Sequence, residues 1–231
     1  MTYVLSDLHG RLDLWNKALL KIKCSDDEYQ IYVLGDVLDK GDKPIELLRE
    51  IMKNHRVTMI NGNHEIDFLK NYKLAHKSNR TFLEIAVYND YLKNGGEPTI
   101  RQFFKCSESD QRAIVNFLRS NRFYAEVECN DKKFVLAHGG ISNFLEKKSI
   151  QDYTPEELTL HRYKNNEKLF DDKILICGHT PTISSDFKTP AEIFVSKNGD
   201  FFNIDCGCVF PEYGGRLAVL TLETLQVNYL N

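Results

Sequence analysis

Short apolar runs rich in β-branched residues recur along the chain: Tyr3–Leu5, Gln30–Leu34, Val57–Asn61, Lys133–Ala137 and Lys173–Cys177. Each is closed at once by a polar cluster, in turn SDLHG, GDVLDKG, GNHE, HGG and GHTP. Apolar runs of this length, bounded by Gly and polar residues, predict buried strands. Leu12–Ile22 and Pro44–Lys53 carry apolar residues at helical spacing, and Pro44 suits a first helical turn. The opening therefore reads β-α-β-α-β, the pattern of a parallel sheet under helical cover. Residues 66–120 read as mostly helical, with a break at Asn94-Gly95-Gly96 and Pro98. Strands return from about residue 123. Phe194–Ile204, Leu217–Leu222 and Leu225–Leu230 read as antiparallel, with Lys197-Asn198-Gly199-Asp200 as a hairpin turn. The pattern predicts an α/β fold of two sheets packed together with helices outside. No repeat or linker divides the sequence, so residues 1–231 read as one domain with a helical insertion over about 66–120.

Composition narrows the function classes. At 231 residues, 42% hydrophobic and 27% charged, the chain has ordinary globular make-up. A formal charge of -3 gives no support for a nucleic-acid or membrane binder, which would usually carry a basic face. The start, MTYVLSDLHG, lacks the basic and long apolar regions of a signal peptide. No apolar run approaches the roughly 20 residues that span a bilayer. A soluble, cytoplasmic protein is expected. The cysteines Cys24, Cys106, Cys129, Cys177, Cys206 and Cys208 are then expected as free thiols, and the Cys206/Cys208 pair has no second pair to complete a structural zinc site.

The candidate chemistry lies at the ends of the predicted strands, where ligands gather in α/β sheets. Asp7 and His9 follow the first strand, Asp36 the second, Asn63 and His64 the third, and His138 and His179 the next two. Taken singly, each has an ordinary reading. GNHE fits a helix start with Glu65 welcome in the first turn, and His138 fits a satisfied buried histidine. Repetition at five successive strand ends is what makes coincidence a poor explanation. Carboxylate, imidazole and amide oxygens suit Mn, Fe or Zn better than Ca or Cu(I). Six such ligands exceed one tetrahedral site and match two ions sharing a carboxylate, an arrangement that clamps the attacking and leaving oxygens of phosphoryl transfer. His55 and His76 lack such flanks and read as surface residues.

In this order, SDLHG, GDVLDKG, GNHE, HGG and GHTP resemble the calcineurin-like metallophosphoesterases. Within them the chain is similar to the serine/threonine phosphoprotein phosphatase branch, especially the small lambda-type bacterial and phage enzymes. The likeness runs from Asp7 to about Leu222. It implies a four-layer α/β fold of two mixed β-sheets face to face, flanked by helices. It implies Asp7 and His9 as ligands of one metal, Asp36 as the bridging carboxylate, and Asn63, His138 and His179 as ligands of the second. His64 matches the catalytic histidine and Asp39 the acid paired with it. Arg162, in LHRY, matches a phosphate-binding arginine. Asn94–Gly96 and the IDCG of Ile204–Gly207 also look family-like. Two departures stand out. Ser6 replaces the glycine that usually opens the first motif, and Lys40 replaces an arginine, keeping the charge for substrate binding but losing the bidentate fork.

The implied activity is hydrolysis of phosphomonoesters, with phosphoserine or phosphothreonine in proteins as substrate. A water shared by two divalent ions, Mn preferred with Fe, Zn or Mg accepted, would attack phosphorus in line. His64 would protonate the basic leaving alkoxide. The rival activity is symmetrical bis(5'-nucleosyl)-tetraphosphate (Ap4A) hydrolysis, with a small phosphoester as substrate. A non-enzymatic scaffold is disfavoured because no metal ligand is missing. No nucleic-acid or membrane partner is expected, and the oligomeric state stays open.

Overall fold

The computed structural model describes residues 1–26, 28–162, 169–184 and 189–231. In chain order the elements are β1 (Thr2–Leu5), α1 (Leu12–Ser25), β2 (Gln30–Leu34), α2 (Pro44–Lys53), β3 (Val57–Ile60), α3 (Asn63–Asn71), α4 (Phe82–Tyr91), α5 (Glu97–Phe103) and α6 (Glu108–Ser120). There follow β4 (Tyr124–Cys129), β5 (Lys132–Ala137), α7 (Pro155–Thr159), β6 (Lys173–Cys177), β7 (Phe194–Val195), β8 (Phe201–Asn203), β9 (Leu217–Thr221) and β10 (Val227–Leu230).

The strands form two five-stranded sheets among the described residues, ordered β10-β9-β1-β2-β3 and β4-β5-β6-β8-β7. Both are mixed. β1, β2 and β3 run parallel, with β9 and β10 added antiparallel. β5, β6 and β8 run parallel, with β4 and β7 antiparallel at the edges.

The two-residue period of a strand assigns each side chain to a layer. Val4, Leu34 and Ile60 from the first sheet meet Phe134, Leu136, Ile176 and Phe202 from the second in one buried cluster. The alternate residues Tyr3, Leu5, Ile31 and Val33 face the other way, onto Trp15, Ala18, Leu47 and Leu48 of α1 and α2. Tyr91, Phe103 and Leu118 from α4, α5 and α6 join that same core. Val135, Ala137 and Leu175 cover the outer face of the second sheet with Ile150, Tyr153 and Leu158. The order is helix, sheet, sheet, helix, the α/β arrangement of four layers expected above.

Several boundaries move for local reasons. Asn61 leaves β3, its N–H turning to the Arg122 carbonyl. The last strand starts at Val227, because Leu225 turns at φ 57° with its N–H on Thr221. The break at Asn94–Gly96 is a widened helical turn over Leu92–Gly96, with Gly95 at φ 100°, after which Pro98 sits in the first turn of α5. Glycine tolerates that φ without cost. All six cysteines are free thiols. His55 and His76 are exposed. No helix among the described residues is long and apolar enough to cross a membrane.

Candidate metal centre

Six parallel strands deliver their carboxyl ends to one place. Asp7 and His9 follow β1, Asp36, Asp39 and Lys40 follow β2, and Asn63 and His64 open α3 after β3. His138, His179 and Asp205 follow β5, β6 and β8. They meet around a cavity of about 160 Å³ whose lining includes Asp7, His9, Asp36, Asn63, His64 and His179. His138 lies beside it, fully buried.

Asp36 is the meeting point. It is 2% exposed. Its Oδ1 lies 3.3 Å from His138 Nε2 and accepts the His64 backbone N–H at 3.1 Å. Its Oδ2 lies 3.7 Å from His9 Nε2 and 3.8 Å from His64 Nε2. Two sets of potential ligand atoms therefore share it: His9, Asp36 and His64 on one side, and Asp36, His138 and His179 on the other, the atoms of each within 4.8 Å of one another. Asn63 Oδ1, 3.1 Å from His138 Nε2, adds an amide oxygen to the second set. Asp7 Oδ2 accepts the His179 N–H at 3.0 Å.

The imidazoles are aimed before any ligand arrives. His9 Nδ1 is 2.8 Å from the Leu38 carbonyl and His138 Nδ1 is 2.7 Å from that of Leu34. A carbonyl only accepts, so both Nδ1 atoms carry a proton and both Nε2 atoms face inward, the orientation used by metal-binding histidines. His64 points its Nδ1 at Asp39 Oδ2, 2.7 Å away. Asp39 has no exposed surface. Its other oxygen accepts Tyr91 Oη at 3.0 Å and Thr99 Oγ1 at 2.6 Å.

Charge in this pocket is tightly balanced. Burial alone would raise the Asp36 carboxyl, but His138, His64 and His9 outweigh it and hold it well below the usual carboxylate range. Burial likewise opposes the charge on His138, yet Asp36 and then Asp7 push its pKa up to about 10. Burial, then the charge on His138, takes His179 down to about 3. Burial and the neighbouring Lys40 lower His9 well below its ordinary value. Burial raises Asp7 and, with Asp7 beside it, Asp205. The cluster thus gathers carboxyl groups and imidazoles at one buried point, a donor set suited to divalent cations.

The rim carries two cations. Lys40 Nζ lies 2.9 Å from His9 Nε2 and 6.0 Å from the centroid of the Phe210 ring. Its backbone N–H donates to the Gly95 carbonyl at 2.8 Å. A Cβ on Gly95 would stand 2.6 Å from Lys40 Cγ, so the Asn94–Gly96 turn needs glycine to seat this lysine. Arg162 is exposed, with Nη1 3.3 Å from the His179 carbonyl and 3.4 Å from Thr180 Oγ1. Its neighbour Tyr163 lies outside the described residues.

Residues 2–214 match the family model described as calcineurin-like phosphoesterase. The chain belongs to the calcineurin-like phosphoesterase family. Among curated proteins it is similar to the symmetrical bis(5'-nucleosyl)-tetraphosphatase of Buchnera aphidicola, 26% identical over 142 residues, which are 61% of this chain and 44% of that protein. The Cronobacter sakazakii protein of the same name is 25% identical over 142 residues, 61% of this chain and 43% of its own. The matched region is under half the length of these relatives. Among solved structures, a putative diadenosine tetraphosphatase superposes with a TM-score of 0.66 at 14% identity, covering 99% of this chain and 92% of that one. A Saccharomyces cerevisiae serine/threonine phosphatase gives 0.62 at 12% identity, covering 100% and 79%. At such identities these superpositions speak for the shared fold.

Within this calcineurin-like site, sequence reasoning missed four supports. Tyr91 and Thr99 come from the helical segment and fix Asp39, and nothing in their spacing announces it. Asp205 lies two residues past β8, within the Ile204–Gly207 segment already noted, and follows the same strand-end rule as the others. Glu65 was legible only as a first-turn acid. It is fully buried, with Oε2 accepting the N–H groups of Asp36 and Gly62 at 2.8 Å each and Oε1 those of Val37 and Leu38 at 2.9 and 3.1 Å. Burial and the nearby Asp36 raise its carboxyl, while the N–H groups of Gly62 and Leu38 act to lower it. Glu65→Gln would turn one accepting oxygen into a donor facing two N–H groups. Urea denaturation should show a loss of about 2–4 kcal/mol.

Proposed function

We propose that the chain hydrolyses phosphate monoesters at this centre, with phosphoserine and phosphothreonine in peptides as its substrate class. The observation that carries the reading is the buried Asp39–His64 pair at 2.7 Å, its second ring nitrogen turned toward the shared Asp36. Burial disfavours charge on His64, but Asp36 and the hydrogen bond to Asp39 overcome it and raise its pKa. A histidine so held stays protonated toward neutral pH and can give its Nε2 proton to a leaving oxygen. Serine and threonine alkoxides are strong bases and need that proton.

Asp7, His9, Asp36, Asn63, His138 and His179 would hold two divalent cations, and Mn fits the mixed carboxylate, imidazole and amide donors. Bound there, such ions supply Lewis-acid activation of a water and of the phosphoryl group. Lys40 Nζ, 2.9 Å from His9 Nε2 at the cavity, would supply a positive charge for a phosphoryl oxygen. Arg162, which also lines the cavity, would supply a second. Lysine offers a point charge where an arginine would fork, so phosphate binding rests more on Arg162.

His64→Ala should lower kcat on a phosphoserine peptide by about 100-fold or more, but by about tenfold or less on 4-nitrophenyl phosphate, whose leaving group needs little protonation. Equal losses on the two substrates would remove His64 from the acid role.

The second reading is hydrolysis of symmetrical dinucleoside tetraphosphates, favoured by the names of the curated relatives. Phe210, at the cavity rim beside Lys40, offers a face for a base. The two readings separate in one assay of kcat/KM with Mn2+. A phosphothreonine peptide should exceed diadenosine tetraphosphate, and a preference of about 100-fold for the dinucleotide, roughly 2.7 kcal/mol, would select the second.

A further inference from the structure

Helix α4 faces the wrong way for a helix of a single chain. Its buried side chains are Tyr88 and Tyr91, the latter bound to Asp39. Most of its outward side chains are apolar: Phe82 is 89% exposed, Leu83 71%, Ile85 43% and Val87 45%, with Asn89 and Asp90 exposed beside them. At about 100° per residue, Ile85, Phe82, Ala86, Leu83 and Val87 share one arc of roughly 200°, with Asn89 and Asp90 set within it toward the C-terminal end. The other large exposed apolar side chains of the described residues, Met1, Leu20, Leu145, Leu160, Val195 and Tyr213, are scattered. Single exposed apolar residues need no account, but a contiguous apolar face marks a contact surface.

We propose that this face is where two copies of the chain pair, their α4 helices antiparallel about a twofold axis. The charges select this occupant. The N-terminal end of α4 is preceded by Lys77 and Arg80, and its last turn exposes Asp90. Lys77 also reaches Glu84 of its own helix, and Arg80 lies over the Tyr88 ring, 4.5 Å from its centroid. An antiparallel pair sets the basic end of each helix beside Asp90 of the other and opposes the two helix dipoles. The patch is therefore self-complementary, as an isologous contact must be. An anionic lipid surface would instead meet Asp90 on the same apolar face and be repelled by it. One face of a ten-residue helix is a small contact beside the roughly 800 Å² per partner of a standard interface, so the pairing is weak and depends on concentration. Tyr91 links the contact to the site, since it ends the pairing helix and holds Asp39.

Sedimentation velocity on the full chain between about 1 and 100 μM tests this, a range that brackets micromolar pairing. The wild type should pass from monomer to dimer. Leu83→Asp should stay monomeric throughout, with its circular dichroism and unfolding midpoint unchanged, because Leu83 is already exposed in the single chain. Asp90→Lys, which opposes like charges across the axis, should weaken pairing by about tenfold or more. A wild type that stays monomeric over the whole range, or a Leu83→Asp chain that pairs like the wild type, overturns the proposal. So does a monomer that co-sediments with phosphatidylserine vesicles, which would give the face to a lipid surface.

Discussion

A buried carboxylate needs partners, and much of this molecule is arranged to supply them to Asp36. An ionised group at 2% exposure is costly unless charges and hydrogen bonds surround it. Here His138, His64 and His9 come from three other strand ends to meet it. The same requirement explains Glu65, which ties the backbone of Asp36, Val37 and Leu38 to Gly62 and fixes where the aspartate points. Two sheets are needed because the histidines that complete the ring around Asp36 arise on both.

The backbone shows what this convergence costs. Asp7, His9, Asp36, Asp39, Lys40 and His179 all have positive φ, between 41° and 69°. A non-glycine residue in that region carries strain of order 1–3 kcal/mol. Six such residues at one cavity are held by the packing of the strands behind them. Gly62 shows the tightness: a Cβ there would lie 2.2 Å from Asp36 Oδ1. A rigid, strained ring of donors suits chemistry that depends on placement more than on motion.

The layered fold and the ring of donors were readable because both follow from one rule. Alternating apolar residues such as Val4 against Tyr3 and Leu5 define the sheets, and the polar clusters that stop each strand define the site. What escaped was whatever depends on direction. Phe82–Tyr91 reads as helical, yet its spacing does not say that the tyrosines point inward and the aliphatic residues outward. Tyr91 and Thr99 reach Asp39 from either side of the kink at Gly95, which a sequence marks only as a break. Glu65 has the address of a helix-start acid, and only the packing reveals that its carboxylate binds a neighbouring loop.

If Asp36 serves two cations at once, binding of both must depend on its carboxylate. Elemental analysis together with calorimetric titration of Mn2+, on the wild type and on Asp36→Asn, tests this. Two ions per wild-type chain are expected, and in the variant the loss of the pair, with at most one weakly held ion and unchanged circular dichroism. A wild type that binds a single ion, or an Asp36→Asn chain that keeps both, would contradict it.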